Sequence, residues 1–471
     1  MRKGKRCYPL PVWLLLLLLA QGAVAQQKYA FTAKQAVDHA LKNVTEIRNL
    51  KIDRQIQDAR NKEIRGQALP QLNGSLSGQY FFNIPVTLLP DFISPSVYGV
   101  LQREGVKDGS GNSIQAPTGP PGLNPVQFGV PWQVSAGVSF QQLFFQPDVF
   151  VALQARATSM KYADINIKAM EDSVRSNVYR SYYSVLIAEK RRSFLVDGIA
   201  RLEKLYKDQE VLYKNGFAEK LDIDRTQVSL NNLRSTKVQI DNLVYIGHAA
   251  LKFALGMEQT DQLELTETLS QDNVKQDILD TTGFRYEDRN EVKLLQTVKE
   301  LQGLDLQRYK LQYLPTVAGF WNFSQNAQRR EFDLFDFSQP WFKTSVAGLS
   351  ISVPLFDGLQ KHYRIKQAKL NLEKTENTLG NVQRAIDLQR VAAYNSFRNA
   401  ITGLDIQTRN LDLAERVYQT TKKKYEQGLG SSFELLQSEQ SFEESQSNYF
   451  QALYDAMIAR IGYFKAIGRL Q

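Results

Sequence analysis

The chain has 471 residues, 23% of them charged, and a formal net charge of +9. Four of the excess cations lie in residues 1–25, which hold no acid, so the other 446 residues carry only +5, too mild a balance for a nucleic-acid footprint. The single cysteine, Cys7, falls within that same segment, which excludes disulfide and thiol chemistry from the rest of the chain.

In chain order, the first element is a targeting segment. Met1 to Arg6 carry four cations, Trp13 to Ala20 form an apolar core, and Ala23-Val24-Ala25 offers a small-x-small cleavage site. This is the order of a secretory signal peptide, and the apolar run is too short to span a bilayer. Cleavage near Ala25 is expected, leaving Gln26 first. Cys7 precedes the apolar run and would leave with the peptide, so lipidation is not expected.

Thr32 and Gln35 stand in capping-box spacing and predict a helix running to Gly66. Two stretches of period-two alternation follow. Leu72, Leu76, Tyr80 and Phe82 alternate with Ser75, Ser77 and Gln79, and Trp132, Val134, Ala136, Val138 and Phe140 alternate with Gln133, Ser135, Gly137, Ser139 and Gln141. Between Asn83 and Trp132 lie eight of the fifteen prolines, together with Asp108-Gly109-Ser110-Gly111-Asn112, so residues 84–129 read as a surface loop. The spacing of acids in that glycine run does not match a calcium loop.

A very long helix is predicted from about Asp148 to Lys214, then a turn at Gly216 and a returning helix that ends at Gly256. The pattern then repeats. Tyr182, Tyr206, Tyr213, Gly216 and Gly256 recur, shifted by 212 residues, as Tyr394, Tyr418, Tyr425, Gly428 and Gly468. A period of that size marks a duplicated half rather than a solenoid unit. The second half supplies alternation at Val317, Gly319, Trp321 and Phe323 and at Ala347, Leu349, Ile351 and Val353, then a second long helix from about Gly358 to Glu426. Pro70 pairs with Pro315 at an offset of 245 but Gly137 with Gly348 at 211, so the first hairpin carries 34 extra residues.

The expected organisation is therefore a signal peptide over 1–25, a first repeat over 26–256, a connecting segment over 257–287 and a second repeat over 288–471. The hairpins are expected at about 72–142 and about 316–354. Each long helix would extend roughly 100 Å at 1.5 Å per residue, too long for a globular core. Apolar residues recur by sevens at Phe397, Leu404, Leu411, Tyr418 and Tyr425, and at Val185, Ile199, Tyr206 and Tyr213 with Arg192 interrupting, which predicts coiled-coil packing.

Chemistry-bearing motifs are missing. The three histidines, His39, His248 and His362, are far apart and have no second ligand at zinc spacing. No nucleophile elbow, phosphate loop or dinucleotide fingerprint occurs, so neither enzyme activity nor a cofactor is expected. Ten-residue alternating segments suit tilted membrane strands, although a soluble sheet packed on helices would alternate identically. Four such strands cannot close a barrel alone, since the smallest membrane barrels have eight. Three copies would supply twelve, and geometry alone also allows a dimer or tetramer. A periplasmic coiled-coil scaffold or adhesin without a pore is the alternative, but it has no need for the four strands.

Several motifs in this order resemble the TolC family of outer-membrane efflux proteins over essentially the whole chain after residue 25. They are Val353-Pro354-Leu355-Phe356-Asp357-Gly358, the turns Tyr213-Lys214-Asn215-Gly216 and Tyr425-Glu426-Gln427-Gly428, and the helix ends Ala254-Leu255-Gly256 and Ala466-Ile467-Gly468. The resemblance implies a mixed α/β membrane protein with an internal two-fold repeat. Its four membrane strands per chain would contribute to a 12-stranded barrel in a homotrimer, above a coiled-coil helical tunnel projecting into the periplasm. It also implies a passive exit duct in contact with outer-membrane lipid, working with an inner-membrane transporter and a periplasmic adaptor.

The same resemblance suggests a gate. In the family's prototype, carboxylates six and nine residues after the second-turn glycine ring the closed mouth, and a tyrosine three before it bonds to an acid six after the first-turn glycine. The matching positions here are Glu434, Gln437, Tyr425 and Asp222, with Tyr213 as the first-turn counterpart of Tyr425. Gln437 leaves one acidic ring instead of two, and Gly430 stands where the prototype has an arginine. Three symmetry-related carboxylates in a narrow mouth would favour cations. Asp222 and Glu434 would equally suit the first turns of helices beginning near Leu221 and Ser432, where the helix dipole favours acids. Gly216, Phe217, Gly428, Leu429 and Gly430 form the turns on which the adaptor would dock.

Overall fold

A computed structural model describes residues 28–116, 118–119, 122–268, 274, 283–333, 336 and 338–470. The expected signal peptide lies outside them.

The elements run β1 (Lys28–Phe31), α1 (Ala33–Asn43), α2 (Thr45–Gln67), β2 (Gln71–Tyr80), β3 (Val86–Pro90), α3 (Ile93–Arg103), β4 (Leu123–Gln127) and β5 (Trp132–Phe145). They continue with α4 (Pro147–Lys214), α5 (Lys220–Leu255), β6 (Gln262–Leu265), α6 (Asn290–Leu311), β7 (Thr316–Arg329), β8 (Phe342–Ser352), α7 (Gln360–Glu426) and α8 (Ser432–Ala466). The described residues form two compact units, one drawn from within 1–59, 156–303 and 369–471, the other from within 60–155 and 304–368, so each draws on both halves of the sequence.

The second unit is built on an antiparallel sheet in the order β2-β5-β7-β8. Tyr80 pairs with Trp132 where the first hairpin opens, and Thr316 with Ser352 at the base of the second. Strands β5 and β7, from different halves of the sequence, pair with each other along almost their full length, with one bulge between Leu143 and Phe145. Every residue of β2 and β8 is exposed, whereas β5 and β7 are mostly half-buried. Leu72, Leu76, Phe342 and Ile351 thus present apolar side chains to the outside.

Residues 84–129 are not a plain loop. Strands β3 and β4 form their own two-stranded sheet, and α3 sits between them. The reason is local. The Asp91 carboxylate accepts from the backbone of Ile93 (3.2 Å) and Ser94 (2.9 Å), satisfying donors at the start of α3. Asp108 does the same for Ser110 and Asn112, both at 2.9 Å, so its carboxylate closes a turn.

The first unit is helical. The Thr32–Gln35 capping box is present, but the helix stops at Asn43 and restarts at Thr45, with Val44 extended between them (φ −63°, ψ 129°). Gly256 explains the interruption. It ends α5 with φ +68°, and a Cβ there would lie 2.9 Å from the Asn43 carbonyl oxygen, so two chain ends meet where only glycine fits. Beside this junction β1 and β6 pair in parallel, Tyr29 against Leu263 and Phe31 against Leu265. That small sheet was not expected from the sequence.

Tyr182 is fully buried and locks the junction, its hydroxyl donating to the Phe31 carbonyl at 2.8 Å. Glu267 accepts from the Ala33 backbone at 2.8 Å and from the Tyr183 hydroxyl at 2.9 Å, placing an acid at the N-terminus of α1. The heptad residues Phe397 and Leu404 are fully buried and Tyr418 nearly so, in line with the expected packing seam. Among the described residues no helix is long and apolar enough to cross a membrane.

Candidate functional site

The two turns joining α4 to α5 and α7 to α8 share one geometry. In the first, Phe217 N–H donates to the Leu212 carbonyl (2.8 Å) and Gly216 N–H to Tyr213 (2.9 Å). In the second, Leu429 N–H donates to Lys424 (2.9 Å) and Gly428 N–H to Tyr425 (3.0 Å). Both are Schellman closures, in which the glycine takes the left-handed conformation, here at φ +83° and +71°. The apolar residue that follows each glycine stays outside, Phe217 at 81% and Leu429 at 77% exposure.

Next to the second turn, Gly430 sits in tight space. A Cβ there would sit 3.3 Å from the Tyr425 amide nitrogen, so a larger residue would press on the last turn of α7. Ser431 then caps α8, its hydroxyl accepting from the Glu434 backbone at 3.1 Å. This Ser-x-x-Glu cap fixes Glu434 in the first turn of α8.

The structure brings some of the sequence-predicted residues together and leaves others apart. Asp222 lies in the first turn of α5, half-buried, 3.9 Å from Arg225. Burial raises the Tyr425 hydroxyl above its ordinary pKa and the nearby Asp222 charge adds to it, while a hydrogen bond with Gln209 opposes. Tyr425 and Asp222 are therefore electrostatic neighbours. Tyr213, Glu434 and Gln437 are exposed on the single chain.

Gln209 was not singled out from the sequence. It is fully buried, and its Nε2 donates to Ser432 Oγ at 2.5 Å, so one amide ties the end of α4 to the start of α8 and to Tyr425. The Arg225 guanidinium also crosses between turns, lying 5.3 Å from the Phe433 ring centroid. Neither contact has a local signature, because the partners are some 200 residues apart in sequence. Among the described residues no group of His, Cys, Asp or Glu gathers as a metal site.

Residues 308–469 match the outer membrane efflux protein family. The outer membrane protein TolC of Vibrio cholerae serotype O1 is 21% identical over 355 residues, covering 72% of this chain and 77% of that protein. Among solved structures, CusC superposes with a TM-score of 0.70 at 15% identity, covering 93% of this chain and 92% of its own. The Campylobacter jejuni CmeC outer membrane channel gives 0.69 at 15% identity, over 99% and 93%. The open state of the Neisseria gonorrhoeae MtrE outer membrane channel gives 0.67 at 13%, over 93% and 89%. With its sheet and paired helical turns, the chain has the fold of these outer membrane channels and resembles the outer membrane efflux proteins, likenesses that support an outer-membrane exit duct.

Proposed function

We propose that the duct is a homotrimer, with twelve strands closing one barrel in the outer membrane and the long helices lining a tunnel into the periplasm. The observation that carries this is the sheet. Its order β2-β5-β7-β8 leaves β2 and β8 as edges, and among the described residues no strand pairs with their outer sides. Unpaired backbone cannot face lipid, so the edges require a partner, and β2 of one chain against β8 of the next supplies it. Four strands from each of three chains clear the eight-strand minimum with a wide lumen. The internal repeat fits the same scheme, each half giving one hairpin and one folded-back helical arm.

A ring of aromatic contacts supports the membrane placement. Tyr80 lies 5.0 Å from Phe82 and 4.8 Å from Trp132, which lies 4.9 Å from Phe332, all at one end of the sheet. Aromatic girdles of this kind sit where lipid meets water. Residues 1–25 would direct export and be removed, without lipidation.

At the helical turns, Glu434 repeated three times would form the acidic ring of the gate. Tyr425 and Asp222 would hold the second turn against the first, and exposed Gln437 would leave the ring single. Phe217, Leu429 and the glycines Gly216, Gly428 and Gly430 would receive a periplasmic adaptor, through which an inner-membrane transporter supplies the energy. Detergent-purified protein should scatter light as a trimer and conduct ions in planar bilayers. A stable monomer, or a trimer without conductance, would overturn the proposal.

A further inference from the structure

Glu439 and Glu443 stand four residues apart on α8 and face the same stretch of α4. The Glu439 side chain is 3% exposed, and its Oε1 accepts from Arg201 Nε at 2.7 Å. Tyr418 of α7 hydrogen-bonds to the same carboxylate. Its ring stacks on Phe442 at 5.6 Å, and the Arg201 guanidinium lies 5.8 Å and 5.5 Å from the two ring centroids. Arg201 is thereby held in place and committed to Glu439.

Glu443 has no such partner. Its Oε1 and the Nη2 of Arg201 are both buried and neither makes a hydrogen bond. Gly198 on α4 creates the room, since a Cβ there would lie 2.6 Å from Glu443 Oε1 and 3.4 Å from Arg201 Nη2. The two carboxylates also border a cavity of about 270 Å³ between α4, α5 and α8.

The charges facing the pair are few. Helix α4 brings Arg201, and Arg191 elsewhere on the cavity wall, α7 brings Lys422 near Glu439, and α5 brings only Ser229, Asn232, Leu233 and Thr236. On α8 itself Glu444 also borders the cavity but is exposed. Two carboxylates against one committed guanidinium leave a negative charge uncompensated away from water, and proton uptake removes it. Burial, then the Glu439 charge, push the Glu443 carboxyl up to about 8, and burial raises Glu439 as well.

We propose that Glu443 is a proton-binding site that holds its proton at neutral pH beside the Glu439–Arg201 ion pair, and that release of this proton draws Arg201 Nη2 toward Glu443. The proton leaves to solvent and no other bond changes. Arg201 then divides between two carboxylates instead of serving one, which resets the contact between α4 and α8.

Infrared difference spectroscopy of the detergent-purified protein tests this through the carbonyl stretch of a protonated carboxylic acid. The band should be present at neutral pH, vanish on alkalinisation with a midpoint near 8, be lost in Glu443→Gln and survive in Glu444→Gln. In Glu439→Gln the midpoint should fall by at least about one pH unit, a tenfold weaker hold on the proton, because the neighbouring charge is gone. Absence of the band at neutral pH, its persistence in Glu443→Gln, or an unmoved midpoint in Glu439→Gln would each overturn the proposal. The Glu439→Gln midpoint decides the matter even where Glu443→Gln does not fold.

Discussion

A single amide, that of Gln209, joins the end of one helix to the start of another 223 residues later. Its value lies in the partners it satisfies. Gln209→Leu leaves Ser432 and Tyr425 without their bond, and the cost should be about 1–2 kcal/mol, read as a lower unfolding midpoint in denaturant. Glu434→Gln should reduce cation selectivity or change single-channel conductance in planar bilayers while leaving stability near wild type, since Ser431 caps the backbone rather than the carboxylate. Unchanged currents would remove Glu434 from the gate. Glu443 sets a pH dependence of stability whose sign follows from its raised folded pKa. As pH climbs from about 4.5 the unfolded carboxyl ionises first, so folding loses stability up to about 8 and no further. Glu443→Gln should abolish that loss and gain about 1–2 kcal/mol at the upper end, a figure discounted because the side chain is only partly buried. At this scale the family resemblance pointed to Asp222 and Tyr425 by their offsets from the turn glycines, and the two are electrostatic neighbours. The sequence was silent on Gln209, and on Arg201 with Glu439, because a contact across 238 residues leaves no local pattern.

Elements were more legible than contacts, since period and capping are local properties. The alternation at Trp132–Phe140 and the capping box at Thr32 translate directly into β5 and α1. The unbroken first helix did not survive, because the break at Val44 is imposed from outside by the close approach of Gly256. The proline-rich insertion read as loop because breaker residues mask short elements, yet Asp91 suffices to start α3 within it. Since among the described residues β3 and β4 pair only with each other, replacing residues 84–129 by a short turn should leave the β2–β5 register and the oligomer intact by size-exclusion chromatography. Loss of the oligomer would make the insertion structural. At the turns, Gly216→Ala and Gly428→Ala force a side chain into the left-handed region and should each cost about 1–2 kcal/mol, measured by thermal unfolding.

For the whole molecule, the 212-residue repeat predicted two similar halves, whereas the compact units divide the chain differently, one holding most of the helices and the other the sheet. The cause is the pairing of β5 with β7, which fuses the two hairpins into one sheet and cannot be foreseen from either half alone. Light scattering in detergent should report three chains per particle, and cross-linking cysteines placed in β2 and β8 should join neighbouring chains rather than the two ends of one. That same pairing has a kinetic corollary. Because each chain seals its internal seam but not its two borders, a lone chain has no configuration in which hydrocarbon touches only satisfied backbone. Membrane insertion should therefore be a reaction of more than first order in chain concentration, with the isolated protomer confined to the aqueous side until its neighbours arrive.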